Sequence, residues 1–102
     1  MTTTPLTISS ALKPDGTTAL TVRGEIDMSN TVVLADAIGS APGRVLLDFA
    51  AVEYLDSAGL AVLFAHADRI ELVTNSVLGP VLRISGLTEL VTVRELPPDG
   101  GV

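Results

Sequence analysis

Cysteine and tryptophan are absent from this sequence, and aromatic residues of any kind amount to 3%. Without cysteine there is no disulfide framework, no thiol nucleophile and no cysteine-ligated zinc. With so few rings, aliphatic packing, mainly of leucine and valine, has to carry the core. Basic residues are also scarce. Six Lys and Arg, with Lys13 the sole lysine, face twelve acids, for a net charge of −6 and a pI near 4.4. Binding to phosphate backbones depends on neutralisation by Lys and Arg, so this balance argues against nucleic acid and anionic membrane partners. No apolar run approaches the roughly 18 residues of a membrane span. The N-terminus, Met1 followed by three threonines and Pro5, has neither the basic patch nor the apolar stretch of a secretory signal. A cytoplasmic protein is expected.

What is present suffices for one domain. The 102 residues are 47% hydrophobic with a mean hydropathy of +0.52, ample for a single core. No repeat or linker divides residues 1–102. The ordered part is expected over about 6–96, with a flexible tail at 97–102 that is rich in Pro and Gly.

Leu6-Thr7-Ile8-Ser9 and Leu20-Thr21-Val22-Arg23 alternate apolar and polar residues, as half-buried strands do. Pro14-Asp15-Gly16 between them is a turn, so the two form a hairpin. A helix follows, capped by Ser29 or Asn30 and carrying Val33, Leu34, Ala37, Ile38 and Ala41 on its apolar side, until Pro42-Gly43 ends it. Val45, Leu47 and Phe49 mark a third strand. Leu60, Leu63, Phe64 and Ala67 mark the apolar side of a second helix, and Ile70-Glu71-Leu72-Val73 is a fourth strand. A third helix is expected between Ser76 and Ser85, with Gly79-Pro80 delaying its start to Pro80. Val91-Thr92-Val93-Arg94 closes the chain as a fifth strand. The expected fold is α/β: a single mixed sheet, an N-terminal hairpin followed by parallel βα units, with the helices mainly on one face.

Right-handed crossovers make strands two, three and four parallel. Gly24-Glu25-Ile26-Asp27, Asp56-Ser57-Ala58-Gly59 and Thr74-Asn75-Ser76 should therefore meet at one rim, the carboxyl end of the sheet, where ligands and partners gather in open α/β folds. There Glu25, Asp27 and Asp56 would surround the hydroxyl of Ser57. Asp56-Ser57 also reads as an ordinary helix cap. Gly59, costly in a first helical turn, points either to close packing or to a surface that something approaches. A phosphate on Ser57 would meet orphan N–H groups and the positive end of a helix, while placing a dianion on the rim.

With Asp56-Ser57-Ala58-Gly59-Leu60 preceded by Gly24-Glu25-Ile26-Asp27 and followed by Ser85-Gly86-Leu87, the sequence resembles the anti-sigma factor antagonists of the STAS family over about Leu6 to Leu96. The resemblance implies a non-enzymatic partner-switching protein that needs no cofactor or metal of its own. It would bind an anti-sigma factor that is also a serine kinase, and so release a sigma factor. Ser57 matches the phosphoacceptor, and phosphorylation there would end binding until a serine phosphatase reversed it. The implied partner surface comprises Gly24, Glu25, Asp27 and Met28 on one side and Asp56, Ala58, Gly59 and Leu60 on the other. Ala58 departs from the hydroxyl residue common in the family. The stretch from Ser57 to Ile70 looks shorter than usual, which implies a truncated second helix.

Three other readings compete. A serine hydrolase would need His66 beside Ser57, but about nine helical residues carry it ~13 Å away, and no Gly-x-Ser-x-Gly elbow is present. A carboxylate metal site at Glu25, Asp27 and Asp56 fits hard cations, although clustered acids more often form a solvated face. A STAS domain acting as an unphosphorylated scaffold, a subunit of a larger signalling or transport assembly, keeps the rim and discards the switch. Acidity and short length suggest a monomer that docks on a larger protein.

Overall fold

A computed structural model describes residues 4–97; the tail expected beyond Pro97 lies outside them. Five strands form one sheet in the order β1-β2-β3-β4-β5, with β1 (Thr7–Leu12) antiparallel to β2 (Thr18–Ile26) and the remaining neighbours parallel. The hairpin turns as expected at Pro14-Asp15-Gly16. Gly16 takes φ +91° and donates to the Lys13 carbonyl, while the Asp15 carboxylate accepts from the Thr17 N–H. Helices α1 (Thr31–Ser40), α2 (Ser57–Ala65) and α3 (Gly79–Ser85) connect the parallel strands β2, β3 (Val45–Leu55), β4 (Ile70–Thr74) and β5 (Val93–Glu95).

Same-handed crossovers put all three helices on one face. Leu34 and Ile38 of α1, Leu63 of α2, and Leu82 and Leu87 at and beyond α3 are fully covered there against Leu20, Val22, Ile26, Val45, Leu47, Phe49, Ile70 and Leu72 of the sheet. Each such side chain contributes about 1.5–3 kcal/mol through removal from water. Phe49 is the one buried ring, so aliphatic side chains carry the core as expected. The Ser85-Gly86-Leu87 stretch is the stop of α3. Gly86 adopts φ +88°, the Ser85 hydroxyl donates to the Leu82 carbonyl and accepts from the Leu87 N–H, and Leu87 anchors in the core.

Several boundaries differ from the sequence expectation. The longest change is in β3, which runs on past Phe49 to Leu55. Its register against β2 slips twice, between Thr21 and Arg23 and between Gly24 and Glu25. Each slip is a bulge that breaks the in/out alternation at Ala50-Ala51 and again at Glu53. Its last pairing with β4 is Asp48 opposite Val73. Beyond that point Asn75 replaces a strand: its Nδ2 donates to the carbonyls of Phe49, Ala50 and Val52, while its Oδ1 accepts from the N–H groups of Val77 and Leu78. Thr74-Asn75-Ser76 therefore stops below the rim and is a brace of β3, not a third contributor to the site. Asn75→Ala should cost about 2–3 kcal/mol, since removing one partner strands several part-buried backbone groups; the drop in urea midpoint would measure it.

At the opposite end of the sheet the Arg69 guanidinium donates to the carbonyls of Ile38, Ala41 and Gly43. It thereby ties the end of α1 to the start of β3.

Candidate functional site

The site is assembled where β2 and β3 end side by side. Glu25 lies opposite Tyr54 and Ile26 opposite Leu55, and the Asp56 N–H donates to the Ile26 carbonyl at 3.1 Å. Asp56 has extended backbone angles and is the N-cap of α2. Its Oδ1 accepts from Gly59 N at 3.0 Å, and its Oδ2 accepts from Met28 N at 3.1 Å. One carboxylate thus clamps the first turn of α2 to the loop that leaves β2. The capping role and the junction role are carried by the same side chain.

The loop is closed by its own polar groups. Asp27 Oδ1 accepts from the backbone N–H and the hydroxyl of Ser29. These two bonds hold the Asp27 carboxyl below the usual carboxylate range. Asn30, the residue before α1, spends its side chain here instead of capping that helix: Oδ1 accepts from Asp27 N and Nδ2 donates to the Glu25 carbonyl. Glu25 turns toward the N-terminal segment, accepting from Thr4 N at 3.3 Å, while its own N–H donates to the Thr4 carbonyl. Gly24 makes that approach possible. It sits at φ +97°, and a Cβ there would lie 2.2 Å from the Pro5 carbonyl oxygen.

Ser57 opens α2 and is exposed. The three acids do not surround its hydroxyl as expected. Asp56 is spent on Gly59 and Met28, Asp27 on Ser29, and Glu25 on Thr4, because each finds a backbone N–H closer to hand. The hydroxyl is left facing solvent at the head of a helix that carries no charged residue. A helix that is apolar all round is normally covered all round. On α2, Gly59 and Leu63 face the sheet, whereas Ser57, Ala61, Phe64 and Ala65 are exposed.

Phe64, expected in the core, is 37% exposed and lies on the Ser57 side at helical spacing. The buried wall is narrower than the apolar periodicity suggested, since α2 is apolar at almost every position. Met28, whose N–H is held by Asp56, is 79% exposed, and Val32 in the first turn of α1 is exposed as well. Val32 and Phe64 were not legible as site residues; their only signal was an excess of apolar positions over what one helix face can bury. Gly24 and Gly59 are buried, Ala58 and Leu60 half-buried. Close packing explains Gly59, where a Cβ would lie 2.5 Å from Leu55 Cδ1 and 2.8 Å from Ile26 Cγ2. His66 ends α2 at its far end, with Nδ1 2.9 Å from the Val62 carbonyl. Among the described residues no group of three or more acids or histidines is placed to hold a metal ion.

The family model described as "Mlab, STAS domain" matches residues 10–95. The chain belongs to the STAS domain family. This STAS domain is similar to the anti-sigma-F factor antagonist RsfB of Mycobacterium tuberculosis, with 37% identity over 60 residues, 55% of this chain and 49% of the relative. It thus spans about half the length of the curated relatives it matches. Among solved structures, an anti-sigma factor antagonist from Mycobacterium paratuberculosis superposes with a TM-score of 0.79 and 27% identity, covering 88% of this chain and 86% of that one. A STAS-domain antisigma-factor antagonist from Rhodobacter sphaeroides shares the fold at a TM-score of 0.53 and 18% identity, over 68% and 84% of the two chains. No helix of the described residues is long and apolar enough to cross a membrane.

In this STAS domain the clamp can be tested apart from any partner. Asp56→Ala should destabilise by about 1–2 kcal/mol, the cost of a lost N-cap. It should also speed amide exchange at both Gly59 and Met28, which are far apart in sequence and share this acceptor. Asp56→Asn, which keeps Oδ1 as an acceptor, should recover protection at Gly59 but not at Met28.

Proposed function

We propose that this STAS domain is an anti-sigma factor antagonist that docks through the β2–β3 rim and is switched off by phosphorylation of Ser57. Its similarity to anti-sigma factor antagonists of Mycobacterium supports the first half of this reading. The observation that carries the second half is the Ser57 hydroxyl, exposed at the head of α2 and engaged by none of the neighbouring carboxylates.

The docking surface comprises Ser57 with Ala61 and Phe64 of α2, Met28 and Val32 beside them, and Asp27, Asp56, Ala58 and Leu60 around them. Gly24, Glu25 and Gly59 shape it from beneath. An uncharged centre with acids at its margin suits a partner that brings an apolar patch rimmed by Lys or Arg. The partner is the cytoplasmic anti-sigma factor, which is also the serine kinase. It transfers the γ-phosphoryl group of ATP to Ser57 Oγ as the hydroxyl proton leaves, and a serine phosphatase returns the hydroxyl by hydrolysis.

The first turn of α2 accommodates the product. Asp56 satisfies the Gly59 and Leu60 N–H groups, which leaves those of Ser57 and Ala58 as the orphan donors of the helix start. They offset part of the added charge of about −1.5 to −2, so the fold tolerates a group that the partner's uncharged seat does not. Incubation with a candidate kinase and ATP tests the reading: one phosphate should be gained, and Ser57→Ala should gain none. An unchanged mass with every kinase that binds the domain would leave constitutive docking in its place.

A further inference from the structure

We propose that a second copy of this chain adds across the edge of β1 that no described residue pairs, giving an isologous dimer with a continuous sheet. The two edges of the sheet are managed differently. β5 is short, with Arg94 and Glu95 in its three residues. β1 has six residues, Thr7–Leu12, with no charge, no proline and no slip of register against β2. These are the devices that keep natural edges from pairing, and β1 lacks all of them. Lys13 N donates to the Thr17 carbonyl across the hairpin. Antiparallel bonding alternates, so the odd residues of β1 face β2, and Ile8, Ser10 and Leu12 turn their N–H and C=O groups outward.

Charge selects the occupant. Residues 4–12 and 30–43, which form β1 and the flank of α1, hold a single charged side chain, Asp36, in a chain with twelve acids and six bases. Two copies that each carry −6 repel through the faces that hold the acids, whereas a basic partner gains nothing from this one. Depletion of charge is also the compositional mark of an interface core.

An open groove of about 620 Å³ runs along the same flank, between the hairpin and α1, lined by Ile8, Leu12, Leu20, Val33, Ala37 and Pro42 among others. Leu12 is 73% and Val33 53% exposed. A two-fold axis at Ser10 sets Ile8 opposite Leu12 of the second copy, with each outward residue exchanging N–H···O bonds in both directions. It joins the two grooves into one trough between the α1 helices. Ser57 stands at the end of β3, two strands in from this edge, so dimer formation and docking at the rim succeed or fail independently.

Light scattering on the full chain, from micromolar to millimolar concentration, reads the assembly. The mass should rise from 10.5 kDa to twice that value, and added salt should favour the dimer by screening the net charge. Ser10→Pro removes only an outward N–H, a position at which an edge strand tolerates proline, and Leu12→Lys places a charge in the trough. Both should remain monomeric, while Ser57→Ala should dimerise as the parent does. In the parent, the amides of Ile8, Ser10 and Leu12 should exchange more slowly as concentration rises. A parent that stays at 10.5 kDa at millimolar concentration overturns the proposal. So does a dimer that persists in Leu12→Lys, or one in which those three amides stay unprotected.

Discussion

Ser57→Asp is expected to fold like the parent and to lose capture of the anti-sigma kinase proposed as its partner in a pull-down, with at least a hundredfold weaker binding. That loss corresponds to about 2.7 kcal/mol, within the 2–5 kcal/mol range for introducing or stranding a charge at a desolvated contact. The fold is spared because the position is exposed at the N-terminus of α2, where a carboxylate interacts favourably with the helix dipole, by roughly 0.3–1 kcal/mol. The docking loss has a separate origin. Ala61 and Phe64 on the Ser57 side of α2 are exposed and uncharged, as is Met28, and a partner seated on them must strip water from the new charge without offering it a counter-ion. Ser57→Ala, by contrast, should keep binding and lose only the phosphate. Equal capture by Ser57→Asp and the parent would remove the electrostatic switch, and a melting transition well below the parent's would show that the loss came from the fold.

Gly59→Val should be the most damaging single change near the rim, destabilising by about 3 kcal/mol. The backbone of α2 passes so close to the strand ends that even a Cβ would fall 2.5 Å from Leu55 Cδ1 and 2.8 Å from Ile26 Cγ2. Leu55 can swing its terminal methyl, but Ile26 Cγ2 sits on a branched carbon with little freedom. Overpacking of this kind costs about 1–3 kcal/mol. Alanine should be milder, since it gains about 1 kcal/mol of helix propensity against the same clash. The alanine–valine difference, read from thermal melts, separates packing from propensity. Any tilt of α2 that relieves the clash carries Ser57 with it, so weaker docking should accompany the stability loss.

The order of the elements, the one-sided helical layer and the meeting of the β2 and β3 ends were legible in the sequence because alternation and helical spacing record which face is covered. What escaped notice depended on other forces. The bulges in β3 break the alternation at Ala50-Ala51, and small residues leave no periodic trace. Ser9-Ser10-Ala11 extends β1 without apolar marks because an edge strand needs few. Val33 and Phe64 fit the helical spacing, yet they lie beside the faces, Leu34 with Ile38 and Gly59 with Leu63, that their helices bury. The acids of the motif segments have other hydrogen-bond partners than their position suggests. Asp56, Asp27 and Glu25 serve backbone N–H groups instead of the Ser57 hydroxyl, since an unpaired amide at a junction costs more than an exposed hydroxyl. Asn75 looked like a member of the rim, and only the early end of β4 shows it to be a brace.

With tryptophan absent and a single tyrosine, all of the chain's near-ultraviolet emission above the phenylalanine band comes from Tyr54. That ring stands half exposed on the last turn of the pleat before Asp56. The domain therefore carries a built-in optical probe three residues from Ser57, with no second fluorophore to dilute the signal.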